Sequence, residues 1–208
     1  MKNMLKDALI LFIITLIAGA ILGVVYDVTK EPIAHQQQLA KDAAYKEVFA
    51  DAEKFEEIAM KPDLAPEDLT AYVVEQGYNA SVDSVASAFD GSGSQLGYVI
   101  TVTTHEGYAG DIQFTLGVRN DGTLNGISIL SIGETAGLGM RAGEVLVPQF
   151  ADKQVEAFAT SKTGAATPEQ IDAISGATIT TDAFVGGVNA GLACFREYLA
   201  QEGGAQNE

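Results

Sequence analysis

The longest uninterrupted run of apolar residues lies near the start of the chain. Residues 8–26 contain no charged side chain and are rich in Leu, Ile and Val, with Lys2 and Lys6 before them and Asp27 after them. An uncharged run of this length can cross the hydrocarbon core of a bilayer as an α-helix. The pattern therefore predicts a cytoplasmic start and one transmembrane helix over residues 1–26.

A charged start followed by small residues at positions 18–20 is also typical of a cleaved signal peptide. The apolar run continues beyond those positions to Val25 and exceeds the usual length of a signal-peptide core, which favours an uncleaved anchor. Positive charges before the helix and acidic residues after it obey the positive-inside rule. We therefore expect a single-pass protein of the cell (inner) membrane, with its soluble domain on the extracytoplasmic side.

Residues 27–70 have the composition of a helical, membrane-proximal segment. Pro32 predicts a break in the first helix, and residues that favour helices predominate from Ile33 to about Ile58. Residues 61–66 contain two prolines and interrupt this pattern. One or two helices are expected before the folded domain.

Alternation of apolar and polar residues replaces the helical pattern in the middle of the chain. It occurs over residues 98–103, 112–118 and 124–132. A turn at residues 120–122 separates the last two strands. Strands connected this closely favour an antiparallel sheet with helices on one side over repeated β-α-β units. The predicted fold class is therefore α+β, an antiparallel sheet with packed helices, preceded by one N-terminal transmembrane helix.

The last predicted element is a helix from Asp182 to Gln201, where apolar residues recur three, four and seven positions apart. Thr181 is its expected N-cap. The α+β domain is assigned to residues 71–202, and residues 203–208 are assigned to a disordered tail.

Charge and cysteine content exclude several functions. The net charge is −16, and residues 1–26 carry +1, so that the remainder carries −17 and repels nucleic acid. The single cysteine, Cys194, excludes an internal disulfide and any multi-cysteine metal or iron–sulfur site. The two histidines and the scattered carboxylates suggest no catalytic grouping, so no catalytic residue is predicted.

The stretch from Asp172 to Thr181 is the strongest candidate for chemistry. It places hydroxyl groups and a glycine turn just before the last predicted helix. The free N–H groups and the dipole of a helix N-terminus favour a phosphate at such a position. The candidate residues are Asp172, Ser175, Gly176, Ala177, Thr178, Thr180 and Thr181.

A second glycine-rich stretch follows the last predicted strand. Its glycines allow the backbone to approach a flat ligand closely. By itself, such a stretch is more often a turn that links a strand to a helix. The candidate residues here are Glu134, Thr135, Gly137, Leu138 and Gly139.

The pattern Asp-x-x-Ser-Gly-Ala-Thr-x-Thr resembles the flavinylation motif of the FMN-binding domain family. A Gly-Tyr-x-Gly at residues 107–110 and a Glu-Thr-x-Gly-Leu-Gly at residues 134–139 precede it, after the membrane segment, so the resemblance covers nearly the whole chain. Within that family, the chain most resembles the RnfG group, which belongs to Rnf electron-transport complexes. It is more distantly similar to the NqrC group of sodium-translocating NADH:quinone reductases.

The resemblance implies FMN bound through a phosphoester to Thr178, the threonine that closes Ser-Gly-Ala-Thr. It also implies that Leu138 packs against the flavin ring, with Ala136 standing where the family usually has proline. A flavin transferase would attach the FMN during maturation, and other membrane subunits of an ion-translocating oxidoreductase would exchange electrons with this one. The alternative is a membrane-anchored binding or assembly module that never acquires flavin.

Overall fold

The structure is a computed structural model that describes residues 2–58 and 65–200. The chain divides into two units, residues 1–42 and residues 43–208. The predicted disordered tail at residues 203–208 lies outside the described residues, as does most of the interruption predicted at residues 61–66.

Helix α1 (Lys2–Val48) contains the predicted apolar run. Among the described residues, α1 is the one helix that is long and apolar enough to cross a membrane. The predicted break at Pro32 is wrong, because the helix continues through this residue. Proline removes one N–H from the helical ladder, but its fixed φ is close to the helical value, and the turns on both sides preserve the helix.

The second unit is built on a five-stranded antiparallel sheet whose spatial order follows the sequence. Its strands are β1 (Lys54–Glu57), β2 (Ala80–Phe89), β3 (Gln95–Thr104), β4 (Ile112–Arg119) and β5 (Leu124–Ile132). The three predicted strands are confirmed as β3, β4 and β5. Strand β2 is rich in alanine and serine, which weakens its strand signal. Strand β1 lies in the segment expected to be helical, where it pairs with the edge of β2.

One face of the sheet is covered by α2 (Pro66–Glu75) and α4 (Thr178–Cys194), with the short helix α3 (Ala142–Val145) nearby. The rings of Phe114 in β4 and Phe184 in α4 stack with their centroids 4.5 Å apart at the centre of this core. Helix α4 continues as a π-helical turn, Phe195–Leu199. This arrangement confirms the α+β class.

The opposite face of the sheet is covered by the end of α1, which corrects the prediction that helices pack on one side. The apolar cluster there consists of Tyr45, Val48, Phe49, Ala52, Ala86, Ala88 and Val99. The ring of Phe49 packs directly on the backbone of Gly97 and Gly117. A Cβ at Gly97 would stand 2.9 Å from Phe49 Cζ, and a Cβ at Gly117 would stand 3.0 Å from Phe49 Cε2.

Because it includes this second cluster, the folded unit begins earlier in the chain than predicted. The compact unit begins at Ala43 instead of residue 71, because the last turn of α1 belongs to its core. The helix expected to reach Ile58 ends at Val48. Buried Phe49 and Ala52 then redirect the chain into β1.

Candidate functional site

Helix α4 begins at Thr178, four residues before its predicted start at Asp182. A short parallel pair of strands, β6 (Ala159–Ser161) and β7 (Gln170–Asp172), leads the chain to this point. The N-cap is Ala177, which makes no side-chain capping hydrogen bond. The first N–H groups of the helix therefore have no side-chain cap and can meet an anion.

The N-cap prediction for Thr181 is wrong, because this residue lies inside the first turn and is fully buried. Its hydroxyl oxygen accepts a hydrogen bond from the backbone N–H of Ile174 at 3.2 Å. The same hydroxyl donates to the carbonyl oxygen of Ala177 at 2.9 Å. Thr181 thus ties the loop that precedes α4 to the helix.

A cleft of about 470 Å³ lies between the start of α4 and the glycine-rich loop after β5. This volume falls within the range of about 300–1,000 Å³ that is typical of small-molecule sites. The lining residues are Tyr108, Glu134, Thr135, Leu138, Gly139, Gly176, Ala177, Thr178, Ile179 and Thr180. The fold therefore brings the two candidate stretches of the sequence to one cleft.

Leu138 and Gly176 join the two walls of the cleft. Gly176 has a φ of +77°, and a Cβ at this position would stand 3.3 Å from Leu138 Cδ2. Glycine is favoured here both by the left-handed backbone and by this close approach. Leu138 remains 39% exposed, so part of its apolar surface is available to a ligand.

The three threonines of the motif have different surroundings. Thr180 is buried, and its hydroxyl donates a hydrogen bond to Glu134 Oε2 at 3.0 Å. The Thr181 hydroxyl is engaged by the backbone in the turn before α4. Thr178 is half-buried and lines the cleft, and its hydroxyl makes no hydrogen bond with another described residue. Of the three hydroxyls, that of Thr178 is the one available to an incoming group.

Glu134 is a carboxylate in the wall of the cleft and is only 7% exposed. Its Oε1 accepts a hydrogen bond from the backbone N–H of Ala109 at 3.3 Å, and its Oε2 accepts the one from Thr180. Within residues 2–58 and 65–200, no cationic side chain pairs with it. Glu134 therefore joins the loop before β4, the loop after β5 and the start of α4.

Four of the predicted site residues do not line the cleft: Asp172, Ser175, Gly137 and Thr181. Ser175 and Gly137 are exposed. Asp172 is half-buried at the end of β7, where its N–H donates to Gln149 Oε1 at 2.7 Å. Its Oδ1 is buried without a hydrogen-bond partner among the described residues.

Two lining residues, Tyr108 and Ile179, are absent from the sequence-based prediction. They are 68% and 55% exposed, so their apolar surface adjoins that of Leu138 in the lining of the cleft. Tyr108 belongs to the Gly-Tyr-x-Gly stretch, which is the sequence signal that could have identified it. Ile179 was not identified because the helix was predicted to begin after it, at Asp182.

Two family models match the chain. One, described as an FMN-binding domain, covers residues 107–193 and thus the whole lining of the cleft. The other, described as an RnfG N-terminal region, covers residues 1–48, the extent of α1. The folded unit therefore contains an FMN-binding domain.

Curated relatives align over nearly the full length. The G component of the Na⁺-translocating ferredoxin:NAD⁺ oxidoreductase complex of Acetobacterium woodii is 31% identical over 94% of this chain and 93% of the relative. The G component of the proton-translocating ferredoxin:NAD⁺ oxidoreductase complex of Clostridium ljungdahlii is 30% identical over 83% of this chain and 80% of the relative. The chain belongs to the FMN-binding domain family, within the RnfG group that the resemblance implied.

The crystal structure of Shewanella oneidensis NqrC has a similar fold. It superposes with a TM-score of 0.53 at 18% identity, covering 77% of this chain and 88% of that one. Together with the apolar helix α1, the relatives support a membrane-anchored component of a multisubunit oxidoreductase complex.

Proposed function

We propose that this chain carries electrons within an Rnf-type ion-translocating oxidoreductase through FMN that is esterified by its phosphate to Thr178. The observation that carries the proposal is the difference among the three threonines of the motif. Thr180 and Thr181 use their hydroxyls in internal hydrogen bonds, whereas Thr178 lines the cleft and its hydroxyl makes no hydrogen bond with another described residue.

Two properties of the cleft support the binding of FMN there. A phosphate on Thr178 would lie at the uncapped N-terminus of α4, where N–H groups and the helix dipole favour a negative charge. Tyr108, Leu138 and Ile179 supply apolar surface for a flat aromatic ring. When bound, FMN supplies reversible electron transfer, while the protein sets its position and surroundings.

Attachment of FMN to Thr178 requires help from outside the chain. A threonine hydroxyl is a weak nucleophile without a base, and no described side chain accepts a hydrogen bond from that of Thr178. A separate flavin transferase would therefore activate the hydroxyl. The Thr178 oxygen would attack the FMN phosphorus of FAD, the bond to AMP would break, and the hydroxyl proton would be released.

A covalent bond also suits the proposed location. The acidic folded unit is proposed to lie on the extracytoplasmic side, because Lys2 and Lys6 precede the apolar run and the excess of acidic residues follows it. There, a flavin held by weak contacts alone would be lost by diffusion. Its redox partners would be other membrane subunits of the complex.

Intact-mass and peptide mass spectrometry test the proposal on the full chain produced together with a flavin transferase. We expect an FMN adduct on the parent and on Thr180→Val and Thr181→Val, and none on Thr178→Val. The two neighbouring variants are matched controls, because each also replaces a threonine hydroxyl by a methyl group. An adduct on Thr178→Val, or a parent without adduct, would overturn the proposal.

A further inference from the structure

Two glycines enclose the side chain of Glu134. A Cβ at Gly139 would stand 2.7 Å from both Glu134 Cβ and Thr180 Oγ1, and a Cβ at Gly107 would stand 2.8 Å from Glu134 Oε1. Neither glycine has a positive φ. Backbone conformation therefore does not explain these glycines, whereas close packing does. At Gly139 the neighbours are Glu134 and Thr180, and at Gly107 they are the carbonyl oxygen of Gly110 and the Glu134 carboxylate.

We infer that Glu134 is the positioning residue of the proposed flavin site: its carboxylate holds the Tyr108 loop and the first turn of α4 around the cleft, and its charge lowers the midpoint potential of the bound flavin. This inference rests on the proposed function. Through Glu134, the protein itself sets the midpoint potential of its bound flavin.

The positioning role follows from the two hydrogen bonds of Glu134. The N–H of Ala109 follows Tyr108 directly, so the bond to Oε1 fixes the loop that carries this ring to the wall of the cleft. The bond from Thr180 to Oε2 fixes the turn that carries Thr178. The bond from Thr180 is the shorter, at 3.0 Å, and the bond from Ala109 is the longer, at 3.3 Å. Together they connect the loop before β4 to the first turn of α4 through one side chain.

The electrostatic role follows from burial and from the missing counter-charge. Glu134 is nearly enclosed, and no described cation pairs with it, so its field is weakly screened at the cleft. Reduction that is not fully matched by proton uptake adds negative charge to a flavin. A fixed carboxylate in the same wall opposes that change and lowers the potential, and removing the charge raises it.

Hydrogen exchange on the full chain in detergent, without a flavin transferase, tests the positioning role independently of the cofactor. In Glu134→Ala, we expect the Ala109 amide to exchange about tenfold faster or more, which corresponds to the loss of a hydrogen bond to a charged group. Glu134→Gln should protect this amide nearly as well as the parent, because its amide oxygen can accept from Ala109 while its NH₂ donates to Thr180. Unchanged exchange in Glu134→Ala would overturn this role.

Redox titration of the flavinylated chain tests the electrostatic role. We expect Glu134→Gln to raise the midpoint potential relative to the parent. Glu144→Gln is the control, because Glu144 is an exposed carboxylate on α3 whose field is screened by water. An unchanged potential in Glu134→Gln, or an equal rise in Glu144→Gln, would overturn this role.

The two measurements separate this inference from the proposed function. A parent without an FMN adduct would overturn the proposed function, and with it the electrostatic role, while the exchange experiment would still decide the positioning role. A flavinylated parent combined with unaltered exchange and potential in the Glu134 variants would overturn the inference alone. If Glu134→Ala does not fold, the titration of the isosteric Glu134→Gln still gives a result.

Discussion

The backbone N–H of Ile174 donates a hydrogen bond to the hydroxyl oxygen of Thr181 over 3.2 Å, in a fully buried position. This contact stabilises the turn that brings Gly176 and Thr178 to the cleft. Together with the hydrogen bond from Thr180 to Glu134, it explains why Thr180 and Thr181 are structural while Thr178 is available for chemistry.

Thr181→Val should destabilise the fold without abolishing flavin attachment. The substitution leaves the Ile174 N–H buried without an acceptor, which costs about 1–3 kcal/mol. Thermal unfolding of the full chain in detergent measures the loss. Thr163→Val, at an exposed position, is the control and should remain within about 0.5 kcal/mol of the parent. Equal stability of the two variants would contradict this role of Thr181.

Three glycines of one loop should respond differently to alanine. Gly133→Ala meets no atom within 4 Å and should be neutral. Gly137→Ala meets no atom either, but its φ of +77° should cost about 1–2 kcal/mol. Gly139→Ala would press on Glu134 and Thr180, so it should lower both stability and flavin attachment. Chemical unfolding and adduct mass check this order, and an unaffected Gly139→Ala would contradict it.

Phe49→Ala should be among the most destabilising changes in the folded unit. Phe49 is fully buried on the face of the sheet opposite α2 and α4. Its removal leaves a cavity over Gly97 and Gly117, which costs about 3–5 kcal/mol of stability. Val74→Ala is the matched control, because Val74 is an apolar residue that is 55% exposed. Unfolding measurements should place this control within about 0.5 kcal/mol of the parent. A small effect of Phe49→Ala would argue that α1 ends outside the core.

Cys194 should make the folded state sensitive to alkaline pH. Burial raises the pKa of its thiol from 9.0 to about 12, so the folded state retains a proton that the unfolded state loses. Stability from this group is complete below pH 9 and falls as the pH rises towards 12, by up to about 1.4 kcal/mol per pH unit. The free energy of unfolding of the parent and of Cys194→Ala, measured between pH 8 and 11, checks this. Parallel dependence of the two free energies on pH would contradict it.

The sidedness of the membrane anchor can be read with a membrane-impermeant thiol reagent. Native Cys194 is fully buried and should not react, so cysteines introduced at exposed positions report their own location. In right-side-out membranes, Lys162→Cys should be labelled and Lys6→Cys should be protected. The opposite result would place the folded unit in the cytoplasm.

Local patterns in the sequence were sufficient for the elements that depend on them. The uncharged run over residues 8–26 requires a long apolar helix, and the alternation in β3, β4 and β5 matches the two faces of a pleated sheet. The order of motifs along the chain likewise indicated the family before the fold was known. Each of these signals lies within a short stretch and needs no distant partner.

Tertiary contacts decided the remaining features. Strand β1 forms because the edge of β2 offers backbone hydrogen bonds. The end of α1 covers the face of the sheet opposite α4 because glycines in β3 and β4 leave room for Phe49. The same holds at the site, where three hydroxyls are alike in the sequence. Glu134, 46 residues away along the chain, accepts a hydrogen bond from Thr180, and the loop before α4 engages Thr181. Thr178 lines the cleft, and its hydroxyl has no such partner among the described residues.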